Sequence, residues 1–475
     1  MTPIVATHPT THTEVWLFNR TYIYSISIVA ALGGLMFGYD WVVIGGAELF
    51  YEKCFHLASA FQVGWAMSSA LVGALLGAAF AGGLSDKFGR KPLLLFAGFL
   101  FVATSIGTGL APSFNWFVVN RLLGGTAIGI ASNLSPLYIA EIAPAAMRGR
   151  LVSVNQLTIA LGVVAAQFVN WWIAQPTPPG TTVAQLALDS WNVQSAWRWM
   201  FGATAVPAAV FFVAMFFVPE SPRWLAKKGR SERARRVLGK IGGVDYADFS
   251  VKDIQATLVN EIDRVDLREL LSPKMLKILF VGVVLAVFQQ WCGINVIFQY
   301  GSRIFADAGY AVSGILFNII ITGVVAVLMT FVAIGTVDRW GRRILMLSGA
   351  IGLAVIYLLT GLAYFYGLKG VIPVALVVAA IACYCYSLAP ITWVILSEIF
   401  PNRIRGAAMS VSVVALWLGN FLLSQTFPKM YESLGLAKCF WVYAAICFFG
   451  FLFIWKRLPE TKGKTLEEIE RELVD

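Results

Sequence analysis

The chain has 475 residues, of which 58% are hydrophobic and only 13% are charged. This composition excludes an ordinary soluble globular protein and indicates a polytopic protein embedded in a lipid bilayer. The net charge of +10 could suggest a nucleic-acid partner. The basic residues gather in a few loops between apolar segments, however, which is typical of membrane topology, and we expect no nucleic-acid binding.

Apolar segments of at least about 18 to 20 residues, the length that crosses a bilayer, occur twelve times. We predict an all-α membrane protein of twelve transmembrane helices, spans 1 to 12, in an N-terminal six-helix bundle at 21–218 and a C-terminal one at 275–457. The predicted spans lie at residues 21–47, 61–84, 91–112, 115–140, 151–175, 198–218, 275–301, 313–337, 343–367, 370–399, 406–427 and 438–457.

The loops on one side of the bundle are much more basic than those on the other. The positive-inside rule predicts that this side, called the inner side below, is cytoplasmic, and the opposite side is called the outer side. The inner side holds the N-terminal segment 1–20, the linker 219–274 and the tail 458–475. In the linker, 231–238 and 251–262 are predicted as short helices on the membrane surface. The short termini favour a bacterial inner membrane.

Asp40 in span 1 and Arg121 in span 4 are ionisable residues well inside apolar segments. Each costs about 2.5 to 3.5 kcal/mol on insertion scales, so a functional role is expected. Counting along the two oppositely directed spans places both in the outer half of the membrane. A carboxylate that pairs with Arg121 when ionised and releases it when protonated would couple transport to a proton. A static structural ion pair is the alternative.

Three motifs of the first half recur in the second half, in the same order. Residues 85–91 recur at 337–343, residues 141–149 at 398–406, and Pro-Glu-Ser at 219–221 recurs as Pro-Glu-Thr at 459–461. This pattern indicates a duplicated chain. Two duplicated six-helix bundles are the architecture of alternating access, in which the bundles rock about a site at the membrane midplane.

The repeated motifs put carboxylates and guanidinium groups where the two bundles would meet. We predict that they pair across this seam and act as a reversible gate on the inner side. The alternative, plain stop-transfer charge, does not explain matching acidic positions. The candidate gate residues are Asp86, Arg90, Glu141, Arg148, Glu220, Asp338, Arg342, Glu398 and Arg405.

Span 7 carries four carboxamide side chains, Gln289, Gln290, Asn295 and Gln299, in an apolar segment. Neutral polar side chains in hydrocarbon must find hydrogen-bonding partners, so they either hold helices together or face a wet cavity. A bend at Gly293 could bring all four inward. Because carboxamides both donate and accept, they suit a neutral polyol substrate.

Further polar and aromatic residues inside the spans complete a cavity with few charges. Amides and an indole suit a sugar, whose hydroxyls bind amides and whose apolar face stacks on aromatic rings. Nothing resembles a nucleophile–base pair, a phosphate loop or a metal site, so no enzyme, cofactor or metal is expected. These residues are Asn155, Gln156, Asn318, Thr392, Trp393, Trp417 and Asn420.

These motifs resemble the sugar porter family of the major facilitator superfamily, from about Tyr22 to Glu467. The resemblance implies the major facilitator fold and substrate contacts from Phe37, Gln156, Gln289, Gln290, Asn295, Asn318, Trp393 and Asn420. The motifs that carry it are Gly38-Tyr-Asp40, 86–91, Arg121 with Gly124-Gly125, 219–223, Gln289-Gln290, Gly293-Ile-Asn295, 338–343 and 459–461.

Within that family the chain looks closest to bacterial D-xylose:proton symporters, because Asp40 stands where proton-coupled members carry an aspartate. Two positions depart from the pattern, Gln299 in place of a tyrosine and Leu416 in place of a glutamine. The resemblance implies an importer of a monosaccharide, D-xylose or a related pentose or hexose, together with a proton, and we expect it to work as a monomer. A passive sugar facilitator and a non-transporting sugar sensor are the alternatives.

Overall fold

A computed structural model describes residues 4–5, 15–178, 181–260, 272–400 and 405–462. These residues form eighteen α-helices, two short antiparallel strands, β1 (Ile4–Val5) and β2 (Val15–Trp16), a 3₁₀ turn at Val183–Gln185 and a π-helix at Asn192–Ala196. The helices are α1 Arg20–Cys54, α2 Ala60–Phe88, α3 Arg90–Gly109, α4 Phe114–Ile142, α5 Ala145–Ile173, α6 Trp197–Ala203, α7 Ala205–Phe217, α8 Pro222–Lys227, α9 Ser231–Asn260, α10 Pro273–Trp291, α11 Ile294–Gln299, α12 Gly301–Asp307, α13 Val312–Trp340, α14 Arg342–Phe365, α15 Val371–Tyr386, α16 Leu388–Ile399, α17 Arg405–Leu434 and α18 Leu436–Arg457.

Twelve stretches of these helices are long and apolar enough to cross a membrane, and they coincide with the twelve predicted spans. The all-α prediction is thereby confirmed, and the only β-structure in the described residues is the small pair near the N-terminus. Spans 6, 7 and 10 are each interrupted within the membrane and consist of α6–α7, α10–α11 and α15–α16. Helix α1 continues to Cys54, well past the predicted end of span 1 at residue 47.

The two bundles, α1–α7 and α10–α18, contact each other along α2 with α17 and along α5 with α13. Helix α1 also reaches α11 and α12 of the other bundle. These three contact lines surround the centre of the molecule, where the polar residues of spans 1, 7 and 11 lie. Most of the large apolar side chains form one continuous core that runs through both bundles.

Two helices of the linker cover the inner end of the first bundle. Helix α8 begins with Ser221, whose hydroxyl accepts a hydrogen bond from the Trp224 backbone, and with Pro222 in its first turn. Helix α9 spans both predicted surface helices in one segment that is interrupted at Gly243, where φ is 89°. The end of the second predicted helix, 261–262, lies outside the described residues. A small apolar cluster around Trp224, Leu225 and Ala234 joins α8 to α9.

Candidate functional site

The bend in span 7 brings three of its carboxamides into one hydrogen-bonded chain. Gly293 adopts a left-handed conformation with φ 88°, which favours glycine, and separates α10 from α11. Asn295 Nδ2 donates to Gln290 Oε1 at 2.6 Å, and Gln290 Nε2 donates to Gln289 Oε1 at 3.1 Å. Gln289 Nε2 in turn donates to the Ala389 carbonyl of span 10 at 3.1 Å. The predicted bend is therefore present, and all three side chains are buried.

The fourth carboxamide of span 7 is bonded elsewhere. Gln299 Oε1 accepts a hydrogen bond at 2.5 Å from the hydroxyl of Ser424 in span 11. The same hydroxyl lies 3.3 Å from Asn420 Oδ1. Gln299 therefore joins span 7 to span 11 near the outer side and does not extend the chain of Gln289, Gln290 and Asn295.

Besides Asn420, four further predicted sugar contacts lie on spans 1, 5, 8 and 10. Phe37 of span 1 packs against Trp417 of span 11, with ring centroids 6.0 Å apart. Gln156 on α5 is half-buried, and Asn318 on α13 is buried. Within the described part of the chain, neither of these two amides has a hydrogen-bonding partner, so both have donors and acceptors available for a ligand. Trp393 on α16 is 40% exposed.

Asp40 and Arg121 form a buried ion pair between spans 1 and 4. Arg121 Nη1 donates to both carboxylate oxygens of Asp40 at 3.0 Å, and the two side chains are only 10% and 3% exposed. The guanidinium also lies over the ring of Phe201 at 5.4 Å from its centroid. Breaking such a pair by removing one partner costs about 3–5 kcal/mol, because it leaves an uncompensated buried charge. The contact is the one expected from the sequence, while its role in proton coupling stays a prediction.

Among the residues that the structure describes, the inner motifs form ion pairs within each bundle, and the pairing across the seam that the sequence suggests stays a prediction. Arg90 binds Glu141 with both Nε and Nη2, at 3.0 and 2.9 Å, and Asp86 with Nη1 at 3.1 Å. In the second bundle Arg342 Nη2 binds Glu398 at 3.3 Å. Short loops place each arginine beside the carboxylates of its own bundle. Arg148 is exposed, and the side chains of Asp338 and Arg405 lie outside the described residues.

Glu220 and Glu460 of the repeated Pro-Glu motifs cap matching helices. Glu220 accepts hydrogen bonds from the backbone N–H groups of Arg90 and Lys91 at the start of α3. Glu460 does the same for Arg342 and Arg343 at the start of α14. Burial raises the pKa of Glu220 above its ordinary value, while hydrogen bonds from the backbone N–H groups of Ser221, Lys91 and Arg90 oppose that rise. A helix N-terminus favours such a carboxylate.

A glycine directly precedes each of these two helices. Its conformation explains why the repeated motif contains a Gly-Arg pair, at 89–90 and again at 341–342. Gly89 has φ 108° and Gly341 has φ 88°, in a region that L residues rarely adopt. A Cβ at Gly89 would also lie only 3.1 Å from Cδ of Glu220, and one at Gly341 only 2.9 Å from Cδ of Glu460. The motif therefore encodes a cap that is duplicated together with its bundle.

A second buried charge cluster joins the two bundles at the outer side. Arg303 Nε binds Glu48 at 2.6 Å, and its Nη2 binds Glu52 at 2.7 Å. The Ser302 hydroxyl donates to Glu48, whose side chain is fully buried. Burial alone would lower the pKa of Arg303, but the charges of Glu48 and Glu52 raise it above its ordinary value. We call Glu48, Glu52, Ser302 and Arg303 the outer clasp.

Comparison with known proteins identifies the family of the chain. Residues 26–473 match the model of the family described as "Sugar (and other) transporter". The chain belongs to this sugar porter family. The chain is 38% identical to the arabinose-proton symporter of Bacillus subtilis, over 95% of both chains. It is 37% identical to the D-xylose-proton symporter of Escherichia coli K12, over 95% of this chain and 96% of the relative.

A solved structure also matches this sugar porter closely. The inward-open xylose transporter XylE of E. coli superimposes with a TM-score of 0.83 at 36% identity, covering 94% of this chain and 99% of XylE. The major facilitator fold with two six-helix bundles is thereby confirmed, as is the resemblance inferred from the motifs. The protein is a multi-pass membrane transporter of the sugar–proton symporter family and not an enzyme.

Sequence reasoning missed the outer clasp of this sugar porter. Glu48 lies one residue past the predicted end of span 1, and Arg303 lies two residues past the predicted end of span 7. The spacing of Glu48 and Glu52, four residues apart on one helix face, was the available signal. Only the packing of α1 against α12 shows that these carboxylates share one arginine.

Proposed function

We propose that this transporter imports a monosaccharide, D-xylose or a related pentose or hexose, together with a proton. The observation that carries the proposal is the buried Asp40–Arg121 pair, because an ionised carboxylate in apolar surroundings depends on its cation. Protonation of Asp40 from the outer side would remove one charge and release Arg121, so spans 1 and 4 would gain freedom to move.

The proposed sugar site is the polar centre between the bundles. The amides of Gln156 and Asn318 offer unused hydrogen-bonding capacity, and the chain of Gln289, Gln290 and Asn295 can exchange its internal hydrogen bonds for sugar hydroxyls. Phe37 and Trp417 would stack on the apolar sugar face. Trp393 and Asn420 are proposed as further contacts. The two similar symporters are named for arabinose and D-xylose, which are both pentoses, and this supports a pentose as the substrate.

In this proposal the bundles rock about the sugar site, and the protein works as a monomer in a bacterial inner membrane with both termini in the cytoplasm. The inner networks around Arg90 and Arg342 are proposed to hold the inner loops of each bundle together while that side is open. Arg148, Asp338 and Arg405 are proposed to join them when the inner side closes.

The transport activity is tested by uptake of labelled D-xylose into proteoliposomes with an imposed inward proton gradient. Accumulation above equilibrium that collapses with an ionophore is expected. Unlabelled arabinose, glucose and galactose serve as competitors, and the strongest competitor identifies the preferred sugar. Equilibration that ignores the gradient would instead show a passive facilitator.

The coupling role is tested by Asp40→Asn. We expect this change to abolish gradient-driven accumulation and to leave sugar exchange largely intact, because a neutral amide cannot carry the proton. Asp307→Asn serves as a matched control, since Asp307 bonds Tyr431 at the outer end of the second bundle. Accumulation by the Asp40→Asn protein at the wild-type level would disprove the coupling role.

A further inference from the structure

A strongly basic cleft lies on the inner side, under the linker helices. Its volume is about 720 Å³, and it opens between α8, α9 and the inner ends of spans 1 to 3. All of the described residues that line it belong to the first bundle or the linker, so it is separate from the pathway between the bundles. Its charged lining consists of Lys91, Arg230, Arg233, Arg236, Lys240 and Glu220.

Three of these cations lie on one face of α9. Arg233, Arg236 and Lys240 are three and four residues apart, a spacing that places their side chains next to one another on a helix. All three are exposed, and none has an ion pair with another described residue. Like charges at this spacing destabilise a helix unless an anion compensates them. Arg235, on another face of α9, pairs with Asp248 instead.

Glu220, the one carboxylate among the described lining residues, cannot supply that compensation. Glu220 already accepts hydrogen bonds from the backbone N–H groups of Arg90, Lys91 and Ser221. Lys91 Nζ donates to the Phe216 carbonyl at 2.7 Å. The cleft therefore keeps an excess of positive charge, with the guanidinium groups of Arg233 and Arg236 available as donors.

We propose that this cleft binds a phosphate group. Guanidinium forks match phosphate oxygens in paired hydrogen bonds, and lysine adds a point charge. Arg230 lies 5.7 Å from the ring centroid of Trp224, a cation–π contact that orients it beside the cleft. The cleft is larger than a phosphate ion, so it admits an ester. The phosphate belongs to the headgroup of an anionic phospholipid or to a soluble phosphate ester.

The position of the cleft favours the lipid source. Phe88, one of its lining residues, is 52% exposed, and the neighbouring Phe217 is 84% exposed. Both lie at the inner ends of spans, where acyl chains meet headgroups. A headgroup phosphate could therefore enter the cleft while its acyl chains stay beside these aromatic rings.

The test uses the full-length protein and two probes. Glycerol 3-phosphate is titrated calorimetrically into detergent-solubilised protein, and phosphatidylglycerol binding is followed by native mass spectrometry, with phosphatidylcholine as the reference lipid. The variant is Arg233→Gln/Arg236→Gln/Lys240→Gln. The matched control Arg235→Gln/Lys252→Gln/Lys274→Gln removes the same charge from exposed positions outside the cleft.

We expect the cleft variant to lose at least about tenfold in affinity for one of the two probes, as loss of charge-assisted hydrogen bonds predicts, while the control stays near wild type. A loss confined to phosphatidylglycerol assigns the site to a lipid headgroup, and a loss for glycerol 3-phosphate assigns it to a soluble ester. Binding of neither probe, or equal losses in both variants, would overturn the proposal.

The acidic segment 467–475 of this chain is an alternative anion that would compete with phosphate for the cleft. It lies outside the described residues. The titrations are repeated with Glu467, Glu468, Glu470 and Glu472 changed to Gln. We expect the affinity to be unchanged. If phosphate bound only to this tail variant, the acidic tail would be the occupant of the cleft in the wild-type protein. That result would also overturn the proposal.

Discussion

Asp40 and Arg121 compensate each other inside the membrane, so removing one leaves the other as an unpaired buried charge. We predict that Arg121→Met destabilises the protein by about 3–5 kcal/mol, and that adding Asp40→Asn restores most of this loss because the carboxylate is then neutral. Thermal unfolding in detergent measures both variants. If the double variant were no more stable than Arg121→Met, the pair would not be the source of the destabilisation.

Some single residues can be recognised in the sequence from their chemistry alone. A carboxylate and an arginine in apolar spans are costly wherever they lie, so Asp40 and Arg121 stand out in the sequence. Glu48 does not, because its position next to the outer loops allows it to be solvated. Its burial depends on Arg303, which is 255 residues away in the chain. Such a contact cannot be read from local composition.

The matched caps of α3 and α14 act at the scale of helices. We predict that Glu220→Ala and Glu460→Ala each destabilise the protein by about 1–3 kcal/mol, because each leaves two backbone N–H groups at a helix start without their acceptor. The corresponding changes to Gln keep an acceptor oxygen and should cost less. Chemical or thermal unfolding compares the four proteins. Equal losses for Ala and Gln would argue against capping.

The outer clasp joins α1 to α12 and so holds the bundles together at one end. We predict that Arg303→Met leaves Glu48 buried without its cation and shifts the protein towards states that are open on the outer side. Hydrogen–deuterium exchange should increase at the outer ends of α1 and α10–α12.

Arg198→Met provides the control for the clasp. Arg198 also lies at the outer side, but it binds the carbonyls of Gly109 and Ala111 within its own bundle. Its removal should increase exchange only locally. Equal exchange in the Arg303→Met and wild-type proteins would show that the clasp does not hold the outer side closed.

Helix breaks were predictable only where a special residue marks them. Gly293 lies between two pairs of polar residues in span 7, and the bend expected there is present at φ 88°. The break at Ser387 in span 10 also has a marker, Pro390 three residues further on, which has no N–H to donate to the Tyr386 carbonyl and so interrupts a continuous helix.

The fold of the whole molecule was predictable because span length and motif duplication are properties of the sequence. Which charges pair depends on the conformation. Arg90 and Arg342 bind carboxylates of their own bundles, whereas the hydrogen bonds seen between the bundles among the described residues lie towards the outer side, as in Ser68 with Gln425 and Gln167 with Thr322. One sequence encodes all the conformations of a transporter. The sequence alone therefore does not show which ion pairs are present in any one conformation.

Alternating access requires the outer contact lines to separate in each transport cycle. Ser68 of α2 donates to Gln425 of α17 at 2.7 Å across the seam. We predict that Ser68→Cys/Gln425→Cys, joined by a short thiol cross-linker in a Cys54→Ser background, stops sugar uptake but keeps sugar binding in detergent, where the inner side stays accessible. Without the cross-linker, uptake should be retained.

A cross-link within one bundle is the control for this experiment. Gln175 and Asn192 bond each other at the outer end of the first bundle, so joining Gln175→Cys to Asn192→Cys should not affect uptake. Rigid bundles that rock against each other predict this difference, because only the first cross-link spans the moving seam. Continued uptake after complete cross-linking of residues 68 and 425 would mean that the outer ends of α2 and α17 stay together, and that the sugar enters by another route.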